Sequence, residues 1–300
     1  SDVRPAEMRD GDMSADKETV SVVIVTHNSM PPLEDCLRSL RAGANGTRLE
    51  IINVDNRSAD DSPEVVKRYF PQAKIIRNPS NVGFGRACNL AAEHATGDYL
   101  LFLNPDLQVD RNSIENLLEV CRRAERVGTA VGRMRFPDGS FQATCRRLPQ
   151  FNNMLFSRGS IFARLMRTNG QYTLPDFPEV TPVPAAAGTM MMIEKRLFRD
   201  VGGFDKRFFM FMEDVDLCLR LGLLGYRNYF VPAAGAVHLW GRGSRVGKFR
   251  RNLHHHINVW RYFAKHYPNI LSYALLPFAL ALNLLLVTVL PVSQPANRRP

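Results

Sequence analysis

VSVVIVTHN, residues 20–28, is a β-branched run that stops on two polar residues. It is too short to cross a membrane and has no polar alternation, the composition of a strand covered on both faces of a parallel sheet. The pattern then repeats. Ser29 can cap a helix whose first turn tolerates Pro31 and Pro32, carries Glu34 and Asp35, and runs to about Arg41. LEIINV (49–54) predicts a second strand stopping at Asp55-Asn56, residues 63–70 a short helix, and residues 74–77 a third strand stopping at Asn78. Gly83 and Gly85 open a helix over 84–95, YLLFL (99–103) is a fourth strand stopping at Asn104-Pro105-Asp106, and residues 111–126 read as a longer amphipathic helix. Strands alternating with helices give right-handed βαβ units, and so an α/β fold with a mostly parallel central sheet. Ligands of such sheets gather beyond the carboxyl ends of the strands. That rule brings Thr26, Asp55, Asn78 and Asp106 to one rim although they are far apart in sequence.

A second stretch, GGFDKRFFMFMEDVDLCLRLGLLG (202–225), sets carboxylates against an apolar wall. Gly202 and Gly203 turn the chain into Phe208, Phe209, Met210, Phe211 and Met212, and Glu213, Asp214 and Asp216 follow at once. Val215, Leu217, Leu219, Leu221 and Leu224 with Arg220 predict a helix ending at Gly225 in a left-handed cap. The acids therefore occupy a helix's first turn, where one carboxylate would suffice to complement the dipole. Beside Phe and Met they also lose water, which raises pKa and makes a better proton acceptor near neutral pH. Glu213 and Asp214 are accordingly the catalytic candidates.

With 300 residues, 45% of them hydrophobic, the chain can bury a sizeable core in one large α/β domain or two small ones. Its five cysteines are scattered, with no C-x-x-C pair, as expected of reduced thiols in a reducing compartment. The first 18 residues hold no apolar block, so they read as a flexible tail and neither a secretory signal nor a first span, and the catalytic part is expected in the cytoplasm. The net charge of +10 is unevenly spread: Asp216 is the last acidic residue, and eleven Lys and Arg follow it. Positive charge joined to apolar surface favours an anionic membrane over nucleic acid as the partner.

The middle of the chain is patterned more loosely. From 131 to 174, Arg133, Arg135, Arg146, Arg147, Arg158, Arg164 and Arg167 interleave with Phe136, Phe141, Phe151, Phe156 and Phe162, which suits either an acceptor-side loop region or an ordinary meander. Residues 182–193 form a small-residue strand or turn, and residues 226–231 another strand. After Pro232, His238 stands beside Trp240 in a Gly-rich loop. Residues 249–267 place Leu253, Ile257, Trp260, Phe263 and Tyr267 at helical intervals, with His254, His255 and His256 read as a solvated face. Residues 271–292 are uncharged and long enough to cross a bilayer, but Pro277, Asn283 and Pro291 interrupt them. A kinked or re-entrant anchor and two short interfacial helices therefore compete with a straight span.

No G-x-x-x-x-G-K-[ST] loop is present, and THNSMPP follows the first strand where a dinucleotide fold needs G-x-G-x-x-G. A diphosphate would have to be neutralised otherwise, and a divalent cation on Asp106 and His238 would do so. The ordered set VSVVIVTHN, VDNRSADDS, NPSNVGFGRACN, FLNPD, GTMMMIE, GGFDKRFFMFMEDVDLCLRL and AVHLWGRGS resembles the family 2 glycosyltransferases of GT-A fold, nearest the bacterial rhamnosyltransferase-like branch, over about residues 20–244. The resemblance implies inverting transfer of a sugar, dTDP-L-rhamnose being the favoured donor, to a lipid-linked or growing surface glycan at the cytoplasmic face of a bacterial inner membrane. By position, Thr26, Asn28, Asp55, Arg86 and Asn104 would bind the donor, with Thr26, Asp55 and Arg86 at base or ribose. Asp106 would be the acid of the DxD motif that holds Mg²⁺ or Mn²⁺, His238 would complete the metal site, and Glu213-Asp214 would be the ED motif with Asp214 as general base. The first DxD acid is Asn104 here, which weakens the expected affinity for the cation.

The organisation expected is a tail over 1–18 and a glycosyltransferase domain over 19–245, its nucleotide-binding half at 19–126 and acceptor half at 127–245. A basic amphipathic helix over 246–268 and an apolar membrane-associating segment over 269–300 follow. The rival readings are a nucleic-acid-binding module, which leaves the rim acids without a purpose, and an inactive membrane scaffold, which the set Asp106, Asp214 and His238 opposes.

Overall fold

The structure is a computed structural model in which residues 18–151, 172–239 and 247–289 are described. All of the expected tail except Glu18 lies outside them, as do Arg158, Arg164, Arg167, Phe156, Phe162, Trp240, Arg242, Arg245, Arg298 and Arg299. The first half runs β1 (Thr19–Thr26), α1 (Pro32–Ala44), β2 (Arg48–Asp55), α2 (Ser62–Tyr69), β3 (Lys74–Arg77), α3 (Phe84–His94), β4 (Tyr99–Leu103), β5 (Leu107–Val109) and α4 (Ser113–Arg123). The second half runs β6 (Val127–Arg135), β7 (Phe141–Gln142), β8 (Cys145–Arg146), β9 (Thr181–Val183), β10 (Ala185–Ala186), β11 (Met190–Glu194), α5 (Lys195–Asp200), α6 (Glu213–Leu223), β12 (Arg227–His238), α7 (Lys248–His266) and α8 (Leu276–Val289).

The main sheet has the order β3-β2-β1-β4-β11-β6-β12-β5. Its first four strands are parallel, as the alternation of strands with helices predicts. The other half is mixed, which corrects the mostly parallel sheet: β11 lies antiparallel to β4 and β6, while β12 is parallel to β6 and antiparallel to β5. Side-chain alternation in β1 splits the core into two layers. Val20, Val22 and Ile24 join Leu33, Leu37 and Leu40 of α1 and Ile114 and Leu117 of α4, whereas Val23 joins Ala87 and Cys88 of α3 and Val215, Leu217 and Leu221 of α6.

Three elements differ from their sequence-based expectations. Residues 127–135 form a central strand, β6, where no element was expected, because Gly128 and Gly132 mask its β pattern. Gly132 is required by close approach, since a Cβ there would stand 2.6 Å from the Ala234 carbonyl oxygen, and Gly128 is tightly packed, with Asn228 Oδ1 3.1 Å from where its Cβ would be. β12 does not stop at Val231. It shifts register between Val231 and Gly235 and continues to His238, so this histidine ends a strand and does not sit in a Gly-rich loop. Ser29 does not cap α1 with its side chain, since its Oγ accepts the His27 N–H at 3.1 Å.

The basic helix α7 is part of the core, with Val259, Tyr262 and Phe263 buried against α6. Asp216, fully buried, accepts from Arg220 Nε at 2.7 Å, Lys265 Nζ at 2.5 Å and His266 Nε2 at 2.7 Å. The three consecutive histidines are not simply a solvated face: His254 stacks on Phe209 at 4.5 Å, His255 meets Phe211 edge-on at 5.7 Å, and His256 shares a hydrogen bond with Asn283 of α8. The apolar segment makes a π-helical turn, Leu271–Leu275, that runs directly on into the 14-residue α8, with Pro277 just past the junction. No helix among the described residues is long and apolar enough to cross a membrane.

Candidate active site

The carboxyl ends of β1 to β4 form one rim, as the strand-end rule predicts. In-register pairing of Thr26 with Asp55 brings the Thr26 hydroxyl to Asp55 Oδ1 at 2.9 Å, and the Ser58 N–H holds Oδ2 at 3.0 Å. Asn78 and Asn56 extend the rim, with Asn78 Nδ2 on Asn56 Oδ1 at 2.8 Å and Asn56 Nδ2 on the Gly83 carbonyl at 3.2 Å. Asn28 sits at φ 54° and ties two loops together: its N–H reaches Ser58 Oγ and its Oδ1 accepts the Ala59 N–H at 2.7 Å. Arg86 is directed elsewhere, donating from Nε to the Lys206 carbonyl at 2.8 Å, in the loop that precedes the apolar wall.

Asp106 and His238 come together because β5 pairs with the end of β12, Leu107 opposite His238. The Leu239 N–H closes on the Asp106 carbonyl at 3.0 Å, and His238 Nε2 stands 3.4 Å from Asp106 Oδ1 with both side chains buried. His238 Nδ1 is 3.0 Å from Gln142 Oε1. An imidazole nitrogen beside a carboxylate oxygen suits a divalent cation. No group of three or more His, Cys, Asp and Glu able to hold a metal occurs among the described residues. The residues present fit a cation whose remaining positions are filled by ligand oxygens.

The apolar wall delivers the acids of α6. Phe84 N–H bonds the Phe209 carbonyl at 2.9 Å, and Asn258 Nδ2 of α7 bonds the Met210 carbonyl at 2.8 Å. Gly83 must be glycine, since a Cβ there would lie 2.2 Å from the Phe209 oxygen at a φ of 89°. Phe211 and Met212 both adopt left-handed φ values, 70° and 72°, a strain of roughly 1–2 kcal/mol each that the anchored wall sustains. Glu213 then points into the core beside Gly85 and Cys88, where burial and the neighbouring Asp214 push its carboxyl up to about 8. Asp214 faces the other way. Its Oδ2 accepts the Gly188 N–H at 3.0 Å and its Oδ1 the Val215 N–H at 2.8 Å.

The two acidic centres share the rim. Residue 188, which binds Asp214, precedes Thr189, whose carbonyl accepts the Asn104 N–H at 2.9 Å, two residues from Asp106. Sequence reasoning missed three neighbours. Gln142 touches His238, and Arg146 with Tyr172 forms the charged surroundings of Asp214: burial opposes the guanidinium's charge, but Asp214 and Tyr172 outweigh it and hold Arg146 above its usual value. The period-two spacing of Gln142, Thr144 and Arg146 was the available signal, hidden by the arginine-rich surroundings. A depression lined by Arg41, Arg48, Glu50, Phe70 and Thr96 lies around the opposite ends of the strands and includes none of these residues.

Comparison with known proteins places this geometry. The family model for glycosyl transferase family 2 matches residues 21–202, and that for glycosyl transferase family group 2 matches 143–294. The chain is similar to the N-acetylglucosaminyl-diphospho-decaprenol L-rhamnosyltransferase of Mycobacterium tuberculosis, 32% identical over 234 residues that cover 74% of this chain and 76% of that one. It is also similar to the rhamnosyltransferase WbbL of Escherichia coli, 26% identical over 82% of this chain and 93% of that one. Two solved structures share the fold: GalNAc-T7 with UDP, GalNAc and Mn²⁺, with a TM-score of 0.62, 19% identity, and coverage of 95% of this chain and 53% of that one; and the mannosyltransferase PcManGT of Pyrobaculum calidifontis with GDP-Man and Mn²⁺, with a TM-score of 0.58, 18% identity, and coverage of 98% and 81%. The chain spans about half the length of GalNAc-T7. Fold, rim and relatives agree: this chain is a nucleotide-sugar glycosyltransferase that belongs to glycosyl transferase family 2, in its bacterial rhamnosyltransferase branch.

Proposed function

We propose that the protein is an inverting, cation-dependent enzyme that moves L-rhamnose from dTDP-L-rhamnose to a hydroxyl of a lipid-linked or growing surface glycan. The observation that carries this reading is the shared rim of the Asp106–His238 pair and Asp214, joined through Gly188, Thr189 and Asn104. The rhamnosyltransferase relatives support the donor, and the diphospho-decaprenol named in one of them supports a lipid-linked acceptor. Residues 19–126 would hold the nucleotide, with Asp55 accepting the base imide N–H and Thr26 keeping that carboxylate in place. Arg86 is held by Lys206 through Nε, and its terminal guanidinium nitrogens would be the ones to meet the donor.

Asp106 and His238 would hold Mg²⁺ or Mn²⁺, which when bound would supply positive charge for a diphosphate leaving group. Asp214 takes the proton of the acceptor hydroxyl as its oxygen attacks the anomeric carbon from the face opposite the diphosphate. The Gly188 N–H and Arg146 keep this carboxylate oriented and balanced by positive charge. Glu213, buried and protonated near neutral pH, supports the turn and leaves the base role to Asp214.

The C-terminal region would seat the enzyme on the cytoplasmic face of the inner membrane. Leu271, Leu275, Phe278, Leu282 and Leu285 recur at intervals of four and three and are exposed, while Leu276 and Leu280 pack inward. Nucleotide release measured over a panel of donors tests the whole reading, with dTDP-L-rhamnose expected to be the best substrate. Asp214→Asn is expected to abolish transfer while keeping donor binding, and Asp106→Ala to weaken donor binding. An active Asp214→Asn enzyme would defeat the base assignment.

A further inference from the structure

Gln142 reaches the rim from a hairpin and not from a strand end. The turn Phe136–Pro137–Asp138–Gly139–Ser140 closes through Ser140 N–H on Asp138 Oδ1 at 2.9 Å, with Gly139 at φ 81°, and returns the chain along β6 so that Gln142 pairs with Met134. Only 3% of Gln142 is exposed, and its Oε1 lies 3.0 Å from His238 Nδ1. A carbonyl oxygen there takes the ring proton onto Nδ1 and turns the Nε2 lone pair towards Asp106 Oδ1. The 3.4 Å between Nε2 and Oδ1 exceeds the roughly 2.7–2.9 Å of a charge-assisted hydrogen bond. The two atoms are side by side without that close bond, as two groups that would address one cation can be.

We propose that Gln142 is a positioning residue: by accepting a hydrogen bond from His238 Nδ1–H it fixes the tautomer and the ring plane in which His238 and Asp106 would address the same divalent cation. This rests on the cation reading given above. Outer-shell partners of ligating histidines change metal affinity by about 10- to 100-fold when removed. Gln142 Nε2 has no hydrogen-bond partner among the described residues, so exchanging that nitrogen for oxygen loses no bond there.

The test is Mn²⁺ binding to the full chain with dTDP present, followed by electron paramagnetic resonance, together with dTDP affinity in chelator. Gln142→Leu is expected to weaken Mn²⁺ binding about 10- to 100-fold and leave metal-free dTDP affinity unchanged. Gln142→Glu, which keeps the acceptor, should bind Mn²⁺ at least as tightly as the parent. In a His238→Ala background, Gln142→Leu should have no further effect, because its action passes through the imidazole. Mn²⁺ affinity within twofold of the parent in Gln142→Leu overturns the proposal, as does an undiminished loss in the His238→Ala background. Weaker Mn²⁺ binding in Gln142→Glu also overturns it, since that would mean the amide N–H faces the ring. If Gln142→Leu does not fold, Gln142→Met, unbranched and of similar length, takes its place. Should His238→Ala itself keep full affinity, the cation reading falls along with this one. If His238→Ala loses affinity and Gln142→Leu does not, only the role of Gln142 falls.

Discussion

Replacing Glu213 by glutamine tests the claim that its buried carboxyl holds a proton near neutral pH. The Glu213 carboxyl is buried, receives the backbone N–H groups of Glu213 and Phe211, and has its Oε2 without a hydrogen-bond partner among the described residues. Burial and Asp214 raise it from 4.5 to about 8. Between those limits the folded protein carries a proton that the unfolded chain has released. The sign follows: with the native state binding one more proton, stability is fullest below the unfolded value and falls as pH rises, by about 1.4 kcal/mol per unit until the folded value is passed. From pH 5.5 to 7.5 the loss is therefore roughly 2–3 kcal/mol. Glutamine keeps the shape and cannot ionise, so that loss should be absent in Glu213→Gln. Urea unfolding of both proteins at pH 5.5, 6.5 and 7.5 measures the difference, in which the other titrating groups cancel. Asp214 shares the site, so the slope belongs to the pair while the variant removes one member of it. The stability difference should move by about 2–3 kcal/mol in favour of Glu213→Gln across this range. Parallel pH profiles would refute the buried, protonated Glu213, and a loss of transfer as deep as that of Asp214→Asn would refute its supporting role.

Three other perturbations probe the frame around the site. Arg220, Lys265 and His266 overcome the burial of Asp216 and hold its carboxyl below the usual range, so the stability it supplies is present above the unfolded value near 4 and is lost as pH falls below it; Asp216→Asn should cost about 3 kcal/mol or more at pH 7 and flatten the acid limb of thermal melts. Gly132→Ala drives a Cβ to within 2.6 Å of the Ala234 carbonyl oxygen and should cost about 1–3 kcal/mol, whereas Gly222→Ala, with open space in α6, should add up to about 1 kcal/mol; equal melting points for the two would count against the packing described between β6 and β12. Serine at Leu275, Phe278 and Leu282 together should lower co-sedimentation with anionic vesicles at least about tenfold without shifting the melt, and a parent protein that stays in the supernatant would remove the membrane proposal.

The parallel half of the sheet was legible because each strand is a short apolar run stopped by a polar residue, and because one topological rule puts those stops on a single rim. Thr26, Asp55 and Asp106 followed from that rule alone. α6 was legible because its leucine spacing and its acidic first turn agree, and it ends as expected beyond Leu223 with Gly225 at φ 80°. The mixed half was hidden for an equally local reason. In β6 and β12 the glycines that let neighbouring groups come close, Gly132 to the Ala234 backbone, Gly128 to Asn228 and Gly235 to the Asp110 side chain, are the ones that erase a β pattern, and β5 is three residues long.

That asymmetry reaches into the site. Residues at strand ends announce themselves, since an apolar run that breaks off on a polar side chain marks the point where the strand leaves the core. Gln142 and Arg146 stand on two-residue strands whose sequence context is a turn and a run of arginines, and their meaning comes from what β12 and α6 bring opposite them. The histidines of α7 show the same thing from the other side: an exposed-looking triplet acquires partners only once the Phe208–Met212 wall is anchored against it. Groups that would touch donor or acceptor were readable one at a time, whereas the groups that orient them exist only as pairs. A single substitution at Gln142 or Arg146 is therefore informative chiefly when its partner, His238 or Asp214, is varied in the same cycle.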